Sequence, residues 1–288
     1  MKILVAYDGS MYADIAIEDL RRAGLSADTE ALVLCVADRD QHGQFMEAEE
    51  LAMRAADRLQ GCFRQWNLKA EALHGSPVNT LIDAARNERA DLIVTGSHGR
   101  TPVGRMFLGS VSLGLIHRAA CSVRVARLGT SCGTGPIRIV VADDGSADAE
   151  AVIRSVAARP WPEQTEARIV SVVETFVPTH SGALEASTYA HDPAFKVIRS
   201  ADDDRRARLQ ETVEKSAHAL RRGGLTVAVS VIDGDPRREI VNEALRFNAD
   251  CVFVGTRGLG SVDRLLLGSV SHYLMTHAPC TVEVVRCH

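Results

Sequence analysis

The sequence has no long hydrophobic run and no excess of basic residues. None of its apolar stretches approaches the roughly 18 residues that a membrane-spanning helix needs. The N-terminus passes from Met1 directly into a short apolar strand, so we predict no signal peptide. The formal net charge is -4 and the sequence pI is about 6.2, whereas a protein that binds nucleic acid electrostatically is usually basic. We therefore expect a cytoplasmic protein without a membrane or nucleic-acid partner.

Motifs of metal binding, disulfide formation and catalysis are also missing. The seven cysteines include no Cys-x-x-Cys pair, and an odd count without metal-ligand spacing favours reduced, mostly structural thiols. The histidines, His272 and His277 among them, lack an acidic partner at metal-ligand spacing. No nucleophile-base pair and no P-loop lysine can be recognised. The sequence therefore predicts no catalytic residue and no metal ligand supplied directly by the protein.

One glycine-rich stretch occurs twice. The first copy is Gly96-Ser-His-Gly99, then nine residues, then Gly109-Ser110; the second is Gly255-Thr-Arg-Gly258, then nine residues, then Gly268-Ser269. Each copy follows a short apolar run and precedes a helix-like segment. Glycine lets the backbone approach an anion closely, and the N–H groups at a helix start point at it. Each stretch is therefore a candidate phosphate site.

The surroundings of these stretches repeat as well. Apolar strands alternate with amphipathic helices, and the pattern restarts at Ile137. Ser76-Pro77 and Asp235-Pro236 predict matching helix starts, each with a capping side chain and a proline at the first position. The sequence thus predicts an α/β fold of two tandem Rossmann-like (nucleotide α-hydrolase-like) domains, each a five-stranded parallel sheet with helices on both faces. We place the domains at residues 1–128 and 137–288, with a linker at 129–136.

The second repeat is longer than the first. Equivalent positions are 136 residues apart at Asp8 and Asp144 but 159 apart at Gly96 and Gly255, which leaves about 23 extra residues. They fall within about 174–204, where proline and glycine residues favour a long loop. The loop is either a tolerated surface insertion or a lid or partner-binding segment.

The ends of the predicted strands locate a ligand site in each repeat. In doubly wound sheets, ligands lie beyond the carboxyl ends of the strands, where the strand order reverses. Asp8 and Gly96 follow the first and fourth predicted strands, and Asp144 and Gly255 follow their counterparts. If those strands are neighbours, each aspartate meets its glycine turn in one cleft.

On these residues the sequence resembles the universal stress protein family in its tandem form, over nearly the whole chain. One shared feature is the strand that ends in Asp-Gly-Ser, at Asp8 and again at Asp144. The other is Gly-x-x-Gly-x9-Gly-Ser/Thr, the ATP-binding signature of the family, which is complete in both halves. The resemblance implies a nucleotide-dependent regulator in stress adaptation. It also implies ATP (or AMP or ADP) as ligand, with Mg²⁺ brought by the phosphates.

The resemblance also implies roles at matching positions. The aspartates would lie near the adenosine, the valines that end the second strand would pair with the adenine edge, and the first glycines would run beside the ribose. The later residues of each signature would wrap the phosphates. The implied site of the first repeat comprises Asp8, Val36, Gly96, Gly99, Gly109, Ser110 and Val111. That of the second repeat comprises Asp144, Val172, Gly255, Gly258, Gly268, Ser269 and Val270. The turns themselves add Arg100 and Arg257 as candidate phosphate contacts.

The resemblance further implies pairing through the last strands. Residues 123–126 and 282–285 would pair the two domains as an intramolecular pseudo-dimer, and a homodimer through the same edge stays open.

Several alternatives remain at this point. The glycine turns could serve packing alone, and Asp8 and Asp144 could serve only as helix caps. A slow ATPase or nucleotide-transfer enzyme is a second functional hypothesis, and a dimerisation scaffold with vestigial sites is a third. A flavin or dinucleotide site is disfavoured because the glycines follow strand four rather than strand one. The halves also differ, since His98 matches Arg257 and Arg100 matches a leucine, so equal affinities are not assumed.

Overall fold

Strands and helices alternate along both repeats of the chain. The computed structural model describes residues 1–37, 42–99, 108–127, 135–174, 193–258 and 267–287. No helix in these ranges combines the length and the apolar composition that crossing a bilayer requires. The elements of the first repeat are β1 (Lys2–Ala6), α1 (Met11–Asp19), β2 (Glu30–Ala37), α2 (His42–Cys62), β3 (Asn67–His74), α3 (Pro77–Glu88), β4 (Leu92–Gly96), α4 (Ser110–Arg118) and β5 (Ser122–Ala126). Those of the second are β6 (Arg138–Ala142), α5 (Ala147–Ala157), β7 (Glu166–Val173), α6 (Pro193–Arg222), β8 (Thr226–Asp233), α7 (Pro236–Phe247), β9 (Cys251–Gly255), α8 (Ser269–His277) and β10 (Thr281–Val285).

The described strands form one sheet in the order β3-β2-β1-β4-β5-β10-β9-β6-β7-β8. Within each repeat all neighbouring strands run parallel. The strand order reverses beside β1 in the first repeat and beside β6 in the second. The predicted α/β class and the five-stranded parallel sheet of each repeat are confirmed.

The last strands of the repeats join the two halves. β5 pairs antiparallel with β10, and Arg124 directly faces Glu283. These two residues occupy the same place in their repeats, so the local two-fold axis that relates the repeats passes between them. The predicted pairing of the last strands within the chain is confirmed, and the two domains form an internal pseudo-dimer.

Helices cover both faces of the sheet, but the two faces are organised differently. On one face a single cluster of buried residues crosses between the repeats, with Leu115 and Ile116 of α4 and Leu274 and Met275 of α8 among its members. On the other face each repeat has its own cluster, under α1 and α2 in the first and under α5 and α6 in the second. The repeats therefore bury apolar surface against each other in addition to pairing strands.

The stretch after β7 differs from the long loop predicted at 174–204. Helix α6 begins at Pro193, so the second part of that stretch is helical. Proline is tolerated in the first turn of a helix, where its missing N–H would have no intrahelical acceptor. Pro193 therefore starts the helix instead of marking a loop. Residues 175–192, the first part of the predicted loop, lie outside the described residues.

Candidate functional site

The carboxyl edge of the sheet brings each predicted aspartate to its glycine turn. β1 pairs with β4, so Asp8 after β1 and Gly96 at the end of β4 lie at one edge. A Cβ built on Gly99 would lie only 3.0 Å from Oδ2 of Asp8. In the second repeat β6 pairs with β9, and a Cβ on Gly258 would lie 2.5 Å from Oδ2 of Asp144. Aspartate and glycine turn therefore meet in both repeats, and a side chain at either glycine would crowd the carboxylate.

Packing alone explains the first glycine of each turn. A Cβ on Gly96 would lie 2.5 Å from the backbone oxygen of Tyr12 in α1, and one on Gly255 would lie 2.9 Å from Cβ of Asp148 in α5. These glycines let a helix pack directly on the end of its strand. The packing interpretation of the glycine pattern is thus sufficient at these two positions.

The helices that follow the glycine turns start without a capping side chain. Their N-cap residues are Gly109 before α4 and Gly268 before α8. Helices α1 and α5 begin at the same edge of the sheet, but Ser10 and Ser146 cap them, each hydroxyl oxygen accepting a backbone N–H bond of 3.2 Å. A helix start without a cap presents N–H donors and the positive end of the helix dipole. The starts of α4 and α8 are therefore suited to an anion, whereas those of α1 and α5 already engage one donor each with a serine hydroxyl.

Two hydrogen bonds fix each of these helix starts against its turn. In the first repeat the N–H of Gly109 donates to the carbonyl of Ser97 at 2.8 Å, and the hydroxyl of Ser112 donates to the carbonyl of Gly96 at 2.7 Å. The equivalent bonds of the second repeat measure 2.7 and 2.6 Å. The geometry between turn and helix is thus the same in both repeats.

Two adjoining cavities open at this edge of the first repeat. One of about 480 Å³ lies beneath the glycine turn, and one of about 820 Å³ extends between α2 and α3. Asp8 and Val36 line both cavities and so mark their junction. Both volumes fall within the roughly 300–1,000 Å³ of small-molecule sites.

The described residues that were implied as a site in the first repeat all line the smaller cavity. They are Asp8, Val36, Gly96, Gly99, Gly109, Ser110 and Val111. Arg100 lies outside the described residues. His98 also lines this cavity, and its ring packs on Tyr12 with 4.8 Å between ring centroids.

The second repeat holds its turn with a carboxylate. Asp148 stands where the first repeat has Tyr12, and its Oδ2 accepts the hydroxyl of Thr256 at 2.5 Å and the backbone N–H of Arg257 at 3.0 Å. Nε of Arg257 lies 3.4 Å from the same oxygen. The guanidinium that the sequence implied as a ligand contact therefore lies against a carboxylate of its own chain.

A second acid replaces a tyrosine beside this turn. Asp143 is buried, and its Oδ2 accepts the hydroxyl of Ser216 in α6 at 2.6 Å. In the first repeat the equivalent Tyr7 donates its hydroxyl to Asp14 at 2.7 Å, and burial raises the pKa of this phenol above its ordinary range. The equivalent of the neutral phenol in the first repeat is thus a carboxyl group in the second.

The repeated site geometry agrees with a comparison to known families. A family model described as the universal stress protein family matches residues 1–127 and 137–286. The chain belongs to the universal stress protein family. It carries two universal stress domains in tandem, and the matched ranges contain both glycine turns.

Individual relatives and solved structures of the family are similar to this chain to different degrees. Universal stress protein Rv2005c of Mycobacterium tuberculosis is 30% identical over 240 residues, which is 82% of this chain and 74% of that protein. The crystal structure of a universal stress protein from Archaeoglobus fulgidus aligns with 99% of this chain and 98% of that chain, at 21% identity and a TM-score of 0.67, and shows the same fold. A universal stress protein solved in complex with cAMP covers 44% of this chain and 97% of that chain, at 17% identity and a TM-score of 0.37.

Sequence reasoning missed several residues at these universal stress domain sites. Pro77 lines both cavities because α3 starts at the same edge of the sheet, and its place after a strand was a usable signal. Tyr12 and Asp148 carried no such signal, since each lies in an ordinary first helical turn. The described residues contain no group of three or more His, Cys, Asp or Glu side chains that could hold a metal ion.

Proposed function

We propose that this universal stress protein binds an adenine nucleotide, foremost ATP, and acts as a nucleotide-dependent regulator in stress adaptation. The observation that carries the proposal is the pair of uncapped helix starts at Gly109 and Gly268, each fixed against a complete glycine turn. Backbone N–H groups and the helix dipole both favour an anion at such a place. Helices α1 and α5 engage one of their first N–H groups with a serine cap, and α3 starts with a proline that has no N–H, so the glycine turns are the better candidates for holding phosphate.

The cavities of the first domain support one orientation of the nucleotide. The phosphates would lie at the start of α4, and the adenosine would extend past Asp8 into the larger cavity between α2 and α3. A carboxylate at Asp8 can accept hydrogen bonds from ribose hydroxyls. Val36 is the last residue but one of β2 and lies at the junction of the cavities, where its backbone would meet the adenine edge. The missing side chain of Gly99 keeps this passage open, since a Cβ there would lie 3.0 Å from Asp8.

The remaining parts of the proposal follow from the family and the chemistry of the ligand. Mg²⁺ would be held mainly by the phosphates, because it retains waters and binds readily to phosphate oxygens. The role in stress adaptation comes from family membership. We place the protein in the cytoplasm, where thiols stay reduced, and the six described cysteines form no disulfide with one another. Nucleotide occupancy would alter a partner surface, in a pseudo-dimer or in a homodimer of such chains.

Calorimetric titration of ATP with Mg²⁺ into nucleotide-stripped protein tests the proposal. Gly109→Glu and Gly268→Glu place bulk and negative charge where the phosphates would lie, so each is expected to abolish binding in its own domain. The backbone φ is -59° at Gly109 and -63° at Gly268, which any residue can adopt. A Cβ would lie 3.3 Å from the carbonyl oxygen of Ser97 and 3.1 Å from that of Thr256, so circular dichroism checks the fold of both variants. Gly61→Glu is the matched control, because a Cβ there meets nothing within 4 Å and the position is exposed on α2.

Binding that is lost in the two site variants and kept in Gly61→Glu supports the proposal. No binding to the parent protein contradicts it and leaves a dimerisation scaffold whose glycine turns serve packing alone. Phosphate release from the same samples, well above a blank, would instead favour the slow ATPase.

A further inference from the structure

The second glycine turn already binds an anion from its own chain. That anion is the carboxylate of Asp148, which is buried in the first turn of α5. It accepts the hydroxyl of Thr256 and the backbone N–H of Arg257, and it lies beside the guanidinium of the same arginine. All three donors belong to the second glycine turn, and two of them are groups of Arg257, a residue of the proposed nucleotide site. A phosphate that used them would have to displace Asp148.

The first turn has no carboxylate at the equivalent position. Tyr12 stands there, and its ring packs on His98. An aromatic ring neither accepts the backbone N–H of the turn nor adds a negative charge. The donors of the first turn are therefore not engaged by the residue that matches Asp148.

Formal charge also makes the second turn less favourable to phosphate than the first. Among the described residues, Asp143 and Asp148 each replace a tyrosine, and Arg257 replaces a histidine. With the histidine neutral, these three positions carry one more negative charge in the second repeat than in the first. Arg286 acts electrostatically on both Asp148 and Arg257, but the first repeat carries an arginine at the matching position as well.

We propose that Asp148 is an internal competitor for phosphate, so that the two domains bind nucleotide unequally. The first domain is the tight site, and the second binds ATP weakly until its turn is released from Asp148. This inference rests on the proposed function, since it assigns the relative affinities of the two proposed sites. A negative charge within a few ångström of a phosphate, at an effective dielectric constant of about 20, is enough to change affinity by about tenfold or more.

The direct test isolates the second site. In the Gly109→Glu background, calorimetry with ATP and Mg²⁺ reports binding to the second domain alone. Asp148→Asn keeps the size of the side chain and removes its charge, and it is expected to tighten binding by about tenfold. Glu150→Gln removes an exposed charge two positions along the same helix, and its expected change is less than about twofold because solvent and salt screen that charge.

The reciprocal test installs the competitor in the first site. Tyr12→Asp in the Gly268→Glu background places a carboxylate at the position that matches Asp148. Binding to the first domain is expected to weaken by about tenfold.

The outcomes separate this inference from the proposed function. Equal affinities of the two domains in the parent protein, or no tightening in Asp148→Asn, overturn the inference and leave nucleotide binding established. Absence of binding in both domains overturns both proposals. Circular dichroism checks the fold of each variant, and if Asp148→Asn does not fold, Tyr12→Asp decides: weaker binding supports the inference, and unchanged binding overturns it.

Discussion

At the scale of single residues, burial determines which cysteines can react. Burial raises the pKa of Cys121 to about 11 and that of Cys280 to about 12, from an ordinary value of 9.0. The thiolate is the nucleophile, so both side chains stay protonated and shielded near neutral pH. Cys287 is exposed. We expect a thiol reagent at about pH 8 to modify Cys287 in the native protein, and to modify the two buried cysteines only after denaturation.

Timed labelling followed by peptide mass spectrometry distinguishes these sites. The denatured protein is the control, in which all three thiols should react at similar rates. Labelling of Cys121 or Cys280 in the native protein as fast as that of Cys287 would show that the residues just before the last strands open readily, contrary to their burial.

Residues of the site differ in how far the sequence could reveal them. Gly99 and Gly258 were predictable because a repeated glycine pattern indicates positions that have no room for a side chain. The structure shows a carboxylate beside each of them. Asp148 was not, because an acidic residue in the first turn of a helix is already favoured by the helix dipole. Its hydroxyl partner Thr256 lies 108 residues away, and only the packing of α5 on β9 brings the two together.

At the scale of elements, a polar residue followed by proline begins two helices that differ in their capping hydrogen bonds. Helices α3 and α7 both begin with proline after a polar N-cap residue, Ser76 and Asp235 respectively. The carboxylate of Asp235 accepts the backbone N–H of Arg237 at 3.0 Å, whereas Ser76 makes no capping hydrogen bond through its side chain. The predicted capping side chain is confirmed in α7 and wrong in α3. Proline with fixed φ is compatible with either start.

The two caps should therefore differ in their contribution to stability. We expect Asp235→Ala to lower the free energy of unfolding by about 1 kcal/mol, because it removes a capping acceptor. Ser76→Ala is the matched control, with an expected loss below about 0.5 kcal/mol. Asp235→Asn keeps an acceptor and should retain much of the stability. Urea denaturation measures all three, and equal losses in the two alanine variants would contradict the assigned hydrogen bonds.

The alternation of strands and helices was predictable, but the start of α6 was not. Strands β1, β4, β6 and β9 are nearly continuous apolar runs, which is typical of a parallel sheet covered on both faces. Proline, by contrast, is common both in loops and at the first position of a helix. Pro193 alone cannot decide between the two, and the residues that follow it extend the helix to Arg222.

At the scale of the whole molecule, a buried charge network lies where the repeats meet. Its members are Asp19, Arg124, Arg159 and Glu283, two of each sign. Arg124 pairs with Asp19 at 2.5 Å and with Glu283 at 3.0 Å, and Arg159 also pairs with Glu283. Burial alone would raise the pKa of Glu283, but the two arginines hold it below its ordinary value. Glu283 is therefore held in its ionised form between the two arginines.

The sequence could not show that these charges are buried. Val-Arg-Val in β5 and Val-Glu-Val in β10 alternate like strands with one face in water. Helices α1 and α5 pack against β5 and β10, and the two strands pair with each other, so Arg124 and Glu283 are completely buried. Their complementary signs at one equivalent position fit a pairing of unlike repeats, since two copies of either repeat would place like charges opposite each other.

Removing one charge from the network should therefore destabilise the whole chain. Glu283→Gln leaves Arg159 buried without its carboxylate, and we expect a loss of about 3–5 kcal/mol in the free energy of unfolding. Glu166→Gln is the matched control. Glu166 pairs with Arg138 at 3.0 Å, the distance between Glu283 and Arg124, but the side chains of Glu166 and Arg138 are both more than a third exposed. Its expected loss is below about 1 kcal/mol, because solvent screens that pair.

Urea denaturation of the two variants separates burial from geometry. Similar losses of unfolding free energy in the two variants would show that the distance between the charges alone sets the strength of these ion pairs, contrary to the expectation.

The shape of the unfolding transition tests whether the repeats unfold together, because the network and the shared core cluster both span β5 and β10. If they bind the repeats into one cooperative unit, Glu283→Gln shifts a single transition to lower urea with an unchanged slope. A variant that unfolds in two steps would instead show that each domain folds on its own once the charges at the junction are unbalanced.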